Sequence, residues 1–202
     1  MLRVDLHLHS HYSHDGRSSL AELIDRAHEC RLDRLALTDH NTVEGALNFA
    51  RDAPELAIVG EEIKTREGEV IGLFITSRVQ PYLPPEEAMD LIHEMGGLTY
   101  IPHPLDRHRA NFRPERIVDL ANRIDIIESY NPWCEAEANR AAARLAEELG
   151  KVQATGSDSH SADELGRSWM EIEAYSSTQD FLDRLRYARH VVTASSGTGR
   201  RA

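Results

Sequence analysis

Four separated pieces of the chain, His7-Leu8-His9, Asp39-His40, His103-Pro104 and Asp158-Ser159-His160, each close a short apolar run with residue types that bind metal ions. Glu62 closes a fifth such run. Imidazole nitrogens and carboxylate oxygens are the ligands that borderline and hard divalent ions accept, so the set proposes a site for several ions. Residues i and i+2 of a strand share a face, which turns His7 with His9, and Asp158 with His160, the same way. Leu6 and Leu8 are then expected together on the opposite face, beneath helices. Asp15 joins by another route. Its turn, Ser13-His14-Asp15-Gly16, follows the first strand, and the glycine lets the loop fold back over the site.

The elements that must position these residues alternate along the chain. Strands are expected over 2–8, 34–38, 57–61, 70–75, 98–102, 124–130, 152–156 and 169–174, with a last one near 190–194. Helices are expected over 19–31, where Leu20, Leu23, Ile24 and Ala27 fall at helical spacing, and over 43–52, 85–95, 114–122, 135–149 and 178–187. Ser18 or Ser19 can cap the first helix, and Pro84-Pro85 opens another. Gly96-Gly97 and Gly150 end the helices they follow. Repeated strand–helix alternation implies a parallel sheet, and about seven units close into a barrel. Barrel sites gather at the C-terminal ends of the strands. His7 and His9, His40, Glu62, His103, and Asp158 with His160 all fall there, so a single rim collects them.

Composition narrows the function classes. The 202 residues suit one domain, here 1–194, with 195–202 (Ser195 to Ala202) expected as a frayed tail. The chain is 41% hydrophobic and 28% charged, ordinary values for a globular protein. No apolar run approaches the roughly 18 residues of a membrane span, and the start lacks a secretory apolar stretch. Cys30 and Cys134 have neither zinc-type spacing nor the number for a disulfide framework, so a reducing, cytoplasmic setting is expected. The net charge of −11 argues against tight nucleic-acid binding and against an anionic membrane. It leaves room for an anionic substrate, because bound cations dominate a local field.

Other residues carry weaker signals. The segment Arg107-His108-Arg109-Ala110-Asn111-Phe112-Arg113 is a basic patch after His103, a cradle for a phosphate to which Arg17 can add. A solvated loop is the competing reading. Asn131 is a candidate polar residue of the rim or a turn residue before Pro132. Asp5 and Asp39 are expected to accept hydrogen bonds from ligand imidazoles rather than bind metal. His11 and His14 flank the site, His28 and His93 sit on expected helices, and His190 has no assigned role.

These motifs resemble the PHP family, the polymerase-and-histidinol-phosphatase metal-dependent phosphoesterases. Asp5-Leu6-His7-Leu8-His9-Ser10 with Asp15-Gly16 is similar to its first motif and Thr38-Asp39-His40-Asn41 to its second. Gly60-Glu61-Glu62 and His103-Pro104 resemble the third region, and Gly156-Ser157-Asp158-Ser159-His160 the last. The resemblance runs over about residues 3–175 and implies a single-domain, distorted (β/α)7 barrel carrying two or three divalent ions, Mn, Zn or Fe. It implies that His7, His9, Glu62 and Asp158 surround one ion, that Asp15, His40 and His160 hold another, and that Glu62 bridges to a middle ion shared with His103. Many relatives carry histidine in the strand after the Glu62 motif, where this chain reads Gly68-Glu69-Val70-Ile71-Gly72. Glu69 is therefore the candidate oxygen ligand there, and a two-ion site is the alternative.

The function implied is hydrolysis of a small phosphomonoester or phosphodiester by metal-activated hydroxide in line with the leaving group, with no phosphorylated enzyme. Asp158, His103 and His160 are the candidate catalytic groups, the two histidines as acids for the leaving group. Arg17, Arg107, Arg109, Arg113 and Asn131 are the candidate substrate contacts. An oligonucleotide phosphodiesterase or exonuclease and a non-catalytic polymerase-associated module are the alternatives. Metal-assisted C–N hydrolysis is a further rival, but no lysine follows a suitable strand, Lys64 being loosely placed.

Overall fold

The periodicity of the sequence becomes nine strands and six helices among residues 1–109 and 111–193, which the computed structural model describes. β1 (Leu2–Leu8), α1 (Leu20–Cys30), β2 (Arg34–Leu37), α2 (Glu44–Asp52) and β3 (Ala57–Lys64) come first. β4 (Glu69–Leu73) follows without a helix, then α3 (Pro85–Glu94), β5 (Leu98–Ile101) and α4 (Pro114–Asp119). A 3-10 turn over Ala121–Arg123 leads into β6 (Ile126–Tyr130), α5 (Ala136–Glu148), β7 (Val152–Thr155), β8 (Ser168–Ile172), α6 (Thr178–Leu185) and β9 (Arg189–Val192). The tail expected at 195–202 lies outside the described residues. No described helix is long and apolar enough to cross a membrane.

The sheet runs β7-β6-β5-β4-β3-β2-β1-β8-β9 and curves into a nearly closed barrel. β1, β2 and β3 pair in parallel, as do β5, β6 and β7. A wholly parallel sheet is what strand–helix alternation implies, and the structure corrects it: β4 is antiparallel to both β3 and β5, and β8 and β9 add an antiparallel flap beside β1. The reason lies in the connection. Thr65 to Gly68 make a tight turn, with Thr65 N–H bonded to Gly68 O at 2.8 Å, and a parallel pairing needs a crossover of a dozen residues or more. Reversal brings the first residue of β4, Glu69, opposite Lys64 at the end of β3.

The barrel closes between β1 and the segment that follows β7. Asp158 N–H bonds His7 O at 2.7 Å, His9 N–H bonds Ser159 O at 2.8 Å, and Ser157 N–H bonds Asp5 Oδ1 at 2.8 Å. Gly156 allows this approach, since a Cβ there would stand 2.4 Å from His7 Cβ and 2.5 Å from His7 N.

Apolar residues divide into two layers. Leu8, Leu35, Leu37, Ile63, Ile101 and Ile127 pack against the helices, through Leu23, Phe49, Met89, Ile117 and Ala146 among others. Val4, Leu6, Ala36, Ile58, Ile71, Tyr100, Ile126, Ala154 and Met170, from the alternate strand positions, form the inner layer with Phe181 and Leu185 of α6. Leu6 therefore does not share a face with Leu8. The register of β1 against β2 shifts between Asp5 and Leu8, so Leu6 and His7 belong to the same inward side. The end of the barrel remote from the histidines is plugged by Phe74, Tyr175 and Phe181, whose rings meet edge to face at 4.9–6.2 Å. α1 starts at a reciprocal cap, with Ser19 and Glu22 each bonding the other's backbone N–H.

Candidate metal centre

The strand ends deliver eight titratable side chains to one rim, and Asp15 reaches it from the turn after β1. His7 Nε2 lies 3.1 Å from Glu62 Oε2, 3.2 Å from His9 Nε2 and 3.6 Å from Asp158 Oδ1. His9 Nε2 lies 3.3 Å from Glu62 Oε2 and 3.4 Å from Asp158 Oδ1. Around the other side, Asp15 Oδ2 lies 3.0 Å from His160 Nε2 and 3.5 Å from His40 Nε2. His40 Nδ1 stands 3.4 Å from Glu62 Oε2, and His103 Nε2 3.3 Å from Glu62 Oε1. Four overlapping groups keep all their donor atoms within 4.8 Å: His9, Asp15, His40 and His160; His7, His103 and Asp158; His7, His9 and Glu62; and His40, Glu62 and Glu69. Glu69 thus meets Glu62 together with His40. Asp158 and His103, with φ of 47° and 31°, hold left-handed backbone that side chains disfavour, a strain that clusters at functional positions.

The donor set fits divalent ions. Ligands about 2.1 Å from one ion stand roughly 3.0–3.4 Å apart, and the donor pairs given above lie at 3.0–3.6 Å. Glu62 Oε1 and Asp158 Oδ1 are buried and accept no hydrogen bond, an arrangement that is costly unless a cation sits against them. Two imidazole nitrogens 3.2 Å apart, those of His7 and His9, repel unless a proton or an ion lies between them. Ionisation follows the same logic. Burial opposes a charge on His9, but the Asp158 and Glu62 carboxylates, 3.4 and 3.3 Å from its Nε2, favour the protonated ring more strongly and push its pKa up to about 9. His7 is likewise buried yet raised well above the ordinary value by the charges of Asp158, Glu62 and Glu128. Against their own burial, Glu62 is held far below the carboxylate range by the charges of His40 and His7, and Asp158 by His7 and His9. Asp15 is lowered too, since His160 and His40 overcome its partial burial. Protons on the imidazoles occupy the place where the carboxylates demand positive charge, and a divalent ion bound there would displace them.

Asp158 is divided between two tasks. While Oδ1 faces the histidines, Oδ2 accepts from Arg109 Nη2 at 2.7 Å and from Asn131 Nδ2 at 3.2 Å. Arg109 and Asn131 are thus the two expected substrate contacts that reach the cluster. Arg17, 70% exposed, pairs with Glu164 at 3.8 Å, and Arg107, 73% exposed, bonds Glu135. Arg113 is exposed at the start of α4. His11 bonds Ser18 O, and His14 is exposed beside Asp15. Asp5 and Asp39 serve main chain and hydroxyl rather than imidazoles. Asp5 accepts from Ser157 N–H and His7 N–H, and Asp39 from Ser10 N–H and Oγ–H at 2.7 Å. Glu61 points away from Glu62, accepts from Val79 N–H at 2.9 Å, and is pushed by burial to about 7.

Glu128 and Tyr100 are the residues sequence reading passed over. Glu128 Oε1 lies 3.0 Å from His7 Nδ1 and accepts from Tyr100 Oη at 2.8 Å, while Oε2 accepts from His103 N–H at 2.7 Å and Asn131 Nδ2 at 3.0 Å. The available signal was a lone acid inside the apolar run Ile126-Ile127-Glu128, at the same strand end as the other groups.

Fold and site together define a class: a nearly closed α/β barrel with a histidine and carboxylate cluster at the C-terminal rim of its strands. The chain belongs to the PHP family. Its residues 5–94 match the PHP domain, and residues 136–189 match the PHP-associated region. It is 34% identical over 175 residues to an uncharacterised protein of Methanocaldococcus jannaschii, a match that covers 84% of this chain and 70% of that one. Over 83 residues it is 40% identical to the error-prone DNA polymerase of Mycobacterium tuberculosis, covering 41% of this chain and 7% of the polymerase. A two-domain protein of Bacteroides vulgatus containing a predicted PHP-like metal-dependent phosphoesterase superposes with a TM-score of 0.76 at 18% identity. That match covers 95% of this chain and 64% of that one, and at such identity it speaks to the fold.

Proposed function

We propose that the protein is a metal-dependent phosphoesterase that hydrolyses a small phosphomonoester or phosphodiester. The observation that carries this reading is the pair of buried, unbonded carboxylate oxygens, Glu62 Oε1 and Asp158 Oδ1, among imidazoles and beside the Arg109 guanidinium. His7, His9, Glu62 and Asp158 would hold one divalent ion and Asp15, His40 and His160 a second. Glu62 with His103, His40 and Glu69 would hold a third. Mn, Zn or Fe suits such mixed ligation. Ions held there supply a water activated near neutral pH and a field that neutralises phosphoryl oxygens.

The chain's own groups do the rest. Arg109 offers guanidinium donors next to Asp158, where a phosphoryl oxygen can be bound and oriented. Asn131 keeps Asp158 turned so that Oδ1 faces inward. His103 and His160 can give a proton to the departing oxygen when they are not engaged as ligands. The likeness to a polymerase segment raises a second reading, a module retained without catalysis, and the full donor set favours activity over it. The net charge of −11 favours a small substrate over an extended nucleic acid.

The test is hydrolysis of p-nitrophenyl phosphate and of its bis-ester by chelator-stripped protein, before and after Mn, Zn or Fe is added, with His7→Ala alongside. Activity restored by metal and lost in the variant supports the phosphoesterase, and the preferred ester separates mono- from diesterase. Folded protein that is inactive with every metal and both esters refutes the reading.

A further inference from the structure

We propose that Glu128 is the positioning residue of the metal centre: it sets which nitrogen of His7 carries a proton and holds His103 and Asp158 in register with it. The proposal rests on reading the cluster as a metal site. Glu128 belongs to none of the four donor groups at the rim, yet its side chain is wholly buried directly behind them. Both of its oxygens are saturated with donors. Oε1 faces Tyr100 Oη and His7 Nδ1, and Oε2 faces His103 N–H and the Asn131 amide, which reaches on to Asp158 Oδ2. An ionised carboxylate only accepts. The nitrogen of His7 that faces it must therefore carry a proton, so Nε2, which faces Glu62, His9 and Asp158, is the nitrogen left to offer a lone pair once a bound ion displaces its own proton. One carboxylate so orients a side-chain ligand directly, a second through the main chain of the left-handed residue His103, and a third through Asn131.

An isosteric glutamine exposes this role. With the amide nitrogen in the place of Oε2, it meets two donors, His103 N–H and the Asn131 amide. With the amide nitrogen in the place of Oε1, it can donate to His7 Nδ1 only if the ring's proton moves to Nε2, and the ligand lone pair is lost. Neither orientation preserves the network. Aspartate, by contrast, keeps the acceptors and withdraws them, so E128D should recover part of what E128Q loses. A residue that merely filled space would show neither the ring-state change nor the recovery.

The experiment measures Zn stoichiometry and affinity by competition with a chromophoric chelator for wild type, E128Q and E128D. Circular dichroism checks the fold, and 15N-histidine NMR of the Zn-loaded proteins reports the ring state. In wild type, His7 should be protonated at Nδ1 and bound through Nε2. E128Q should lower the affinity for at least one ion by about 10- to 100-fold, the usual cost of removing a ligand's supporting partner. E128Q that binds the same number of ions at wild-type affinity overturns the proposal while leaving the metal centre standing. Coordination of His7 through Nδ1 in wild type overturns it without any variant, and so decides the matter even if E128Q fails to fold. Wild type that binds no Zn, Mn or Fe overturns both the proposal and the metal-centre reading.

Discussion

Gly156→Ala is the smallest change that should damage both the stability and the metal centre. Its Cβ would lie 2.4 Å from His7 Cβ, 2.5 Å from His7 N and 2.9 Å from His7 Cα, whereas carbon atoms pack at about 3.5–4.0 Å. β1 and the segment after β7 must therefore part by about 1 Å, and no flexible side-chain end is there to give way. Three hydrogen bonds tie that seam, between Asp158 N–H and His7 O, His9 N–H and Ser159 O, and Ser157 N–H and Asp5 Oδ1. At about 0.5–1.5 kcal/mol each, their weakening places the cost at up to about 1.5–4.5 kcal/mol. For a chain of this size that lowers Tm by about 3–18 °C. The same movement carries His7 away from Glu62 and Asp158, and a misplacement of about 1 Å can cost roughly 100-fold in rate. Gly150→Ala is the control. Gly150 also needs its hydrogen, with φ of 64°, but nothing lies within 4 Å of its Cβ. It should lose about 1–2 kcal/mol of stability and keep wild-type metal affinity. Thermal unfolding paired with Zn titration reads both quantities. If G156A stays within about 0.5 kcal/mol of wild type and binds Zn normally, the seam argument is wrong.

Metal addition should stabilise the protein in proportion to the ions held: each at 100 times its Kd contributes about 2.7 kcal/mol, so two raise Tm by about 10–20 °C, as scanning calorimetry can show. Arg109→Ala should lower kcat/KM for phosphoesters by about 10- to 100-fold in steady-state assays, the worth of a charge-assisted hydrogen bond to the phosphoryl group. His93, remote from the centre, is raised by its hydrogen bond to Asp125. Asp125 is lowered, because His93 and Thr99 outweigh its burial. The imidazole's contribution is complete below its ordinary value of 6.5 and fades as pH rises through the raised value. The carboxylate's is present above 3.8 and is lost as pH falls through the lowered one. His93→Gln should therefore destabilise most between those limits, by roughly 0.5 kcal/mol after solvent screening, and urea titrations across pH test the window.

What could be read from the sequence is what strand geometry imposes locally. His7 and His9 are legible as a pair because two-residue periodicity and the end of an apolar run need no knowledge of neighbours. Asp158 and His160, by contrast, come together beyond the end of β7 at Thr155, where Asp158 has a φ of 47° and strand alternation does not apply. The rim that unites them followed from counting strand–helix units. The misreadings share a cause: each depends on how one strand sits against another. The face of Leu6 changed because β1 shifts register against β2, which a single strand's pattern cannot encode. Asp39 looked like a partner for the adjacent imidazole, yet Ser10, brought alongside at the end of β1, takes both of its oxygens. Glu69 shows the same dependence in the other direction. In a parallel barrel the first residue of a strand lies at the floor, far from catalysis. Here a turn of four residues reverses β4, so its first residue rises to the rim, next to His40 and Glu62. That a Glu69 oxygen comes within reach of His40 and Glu62 is therefore a consequence of topology as much as of residue type.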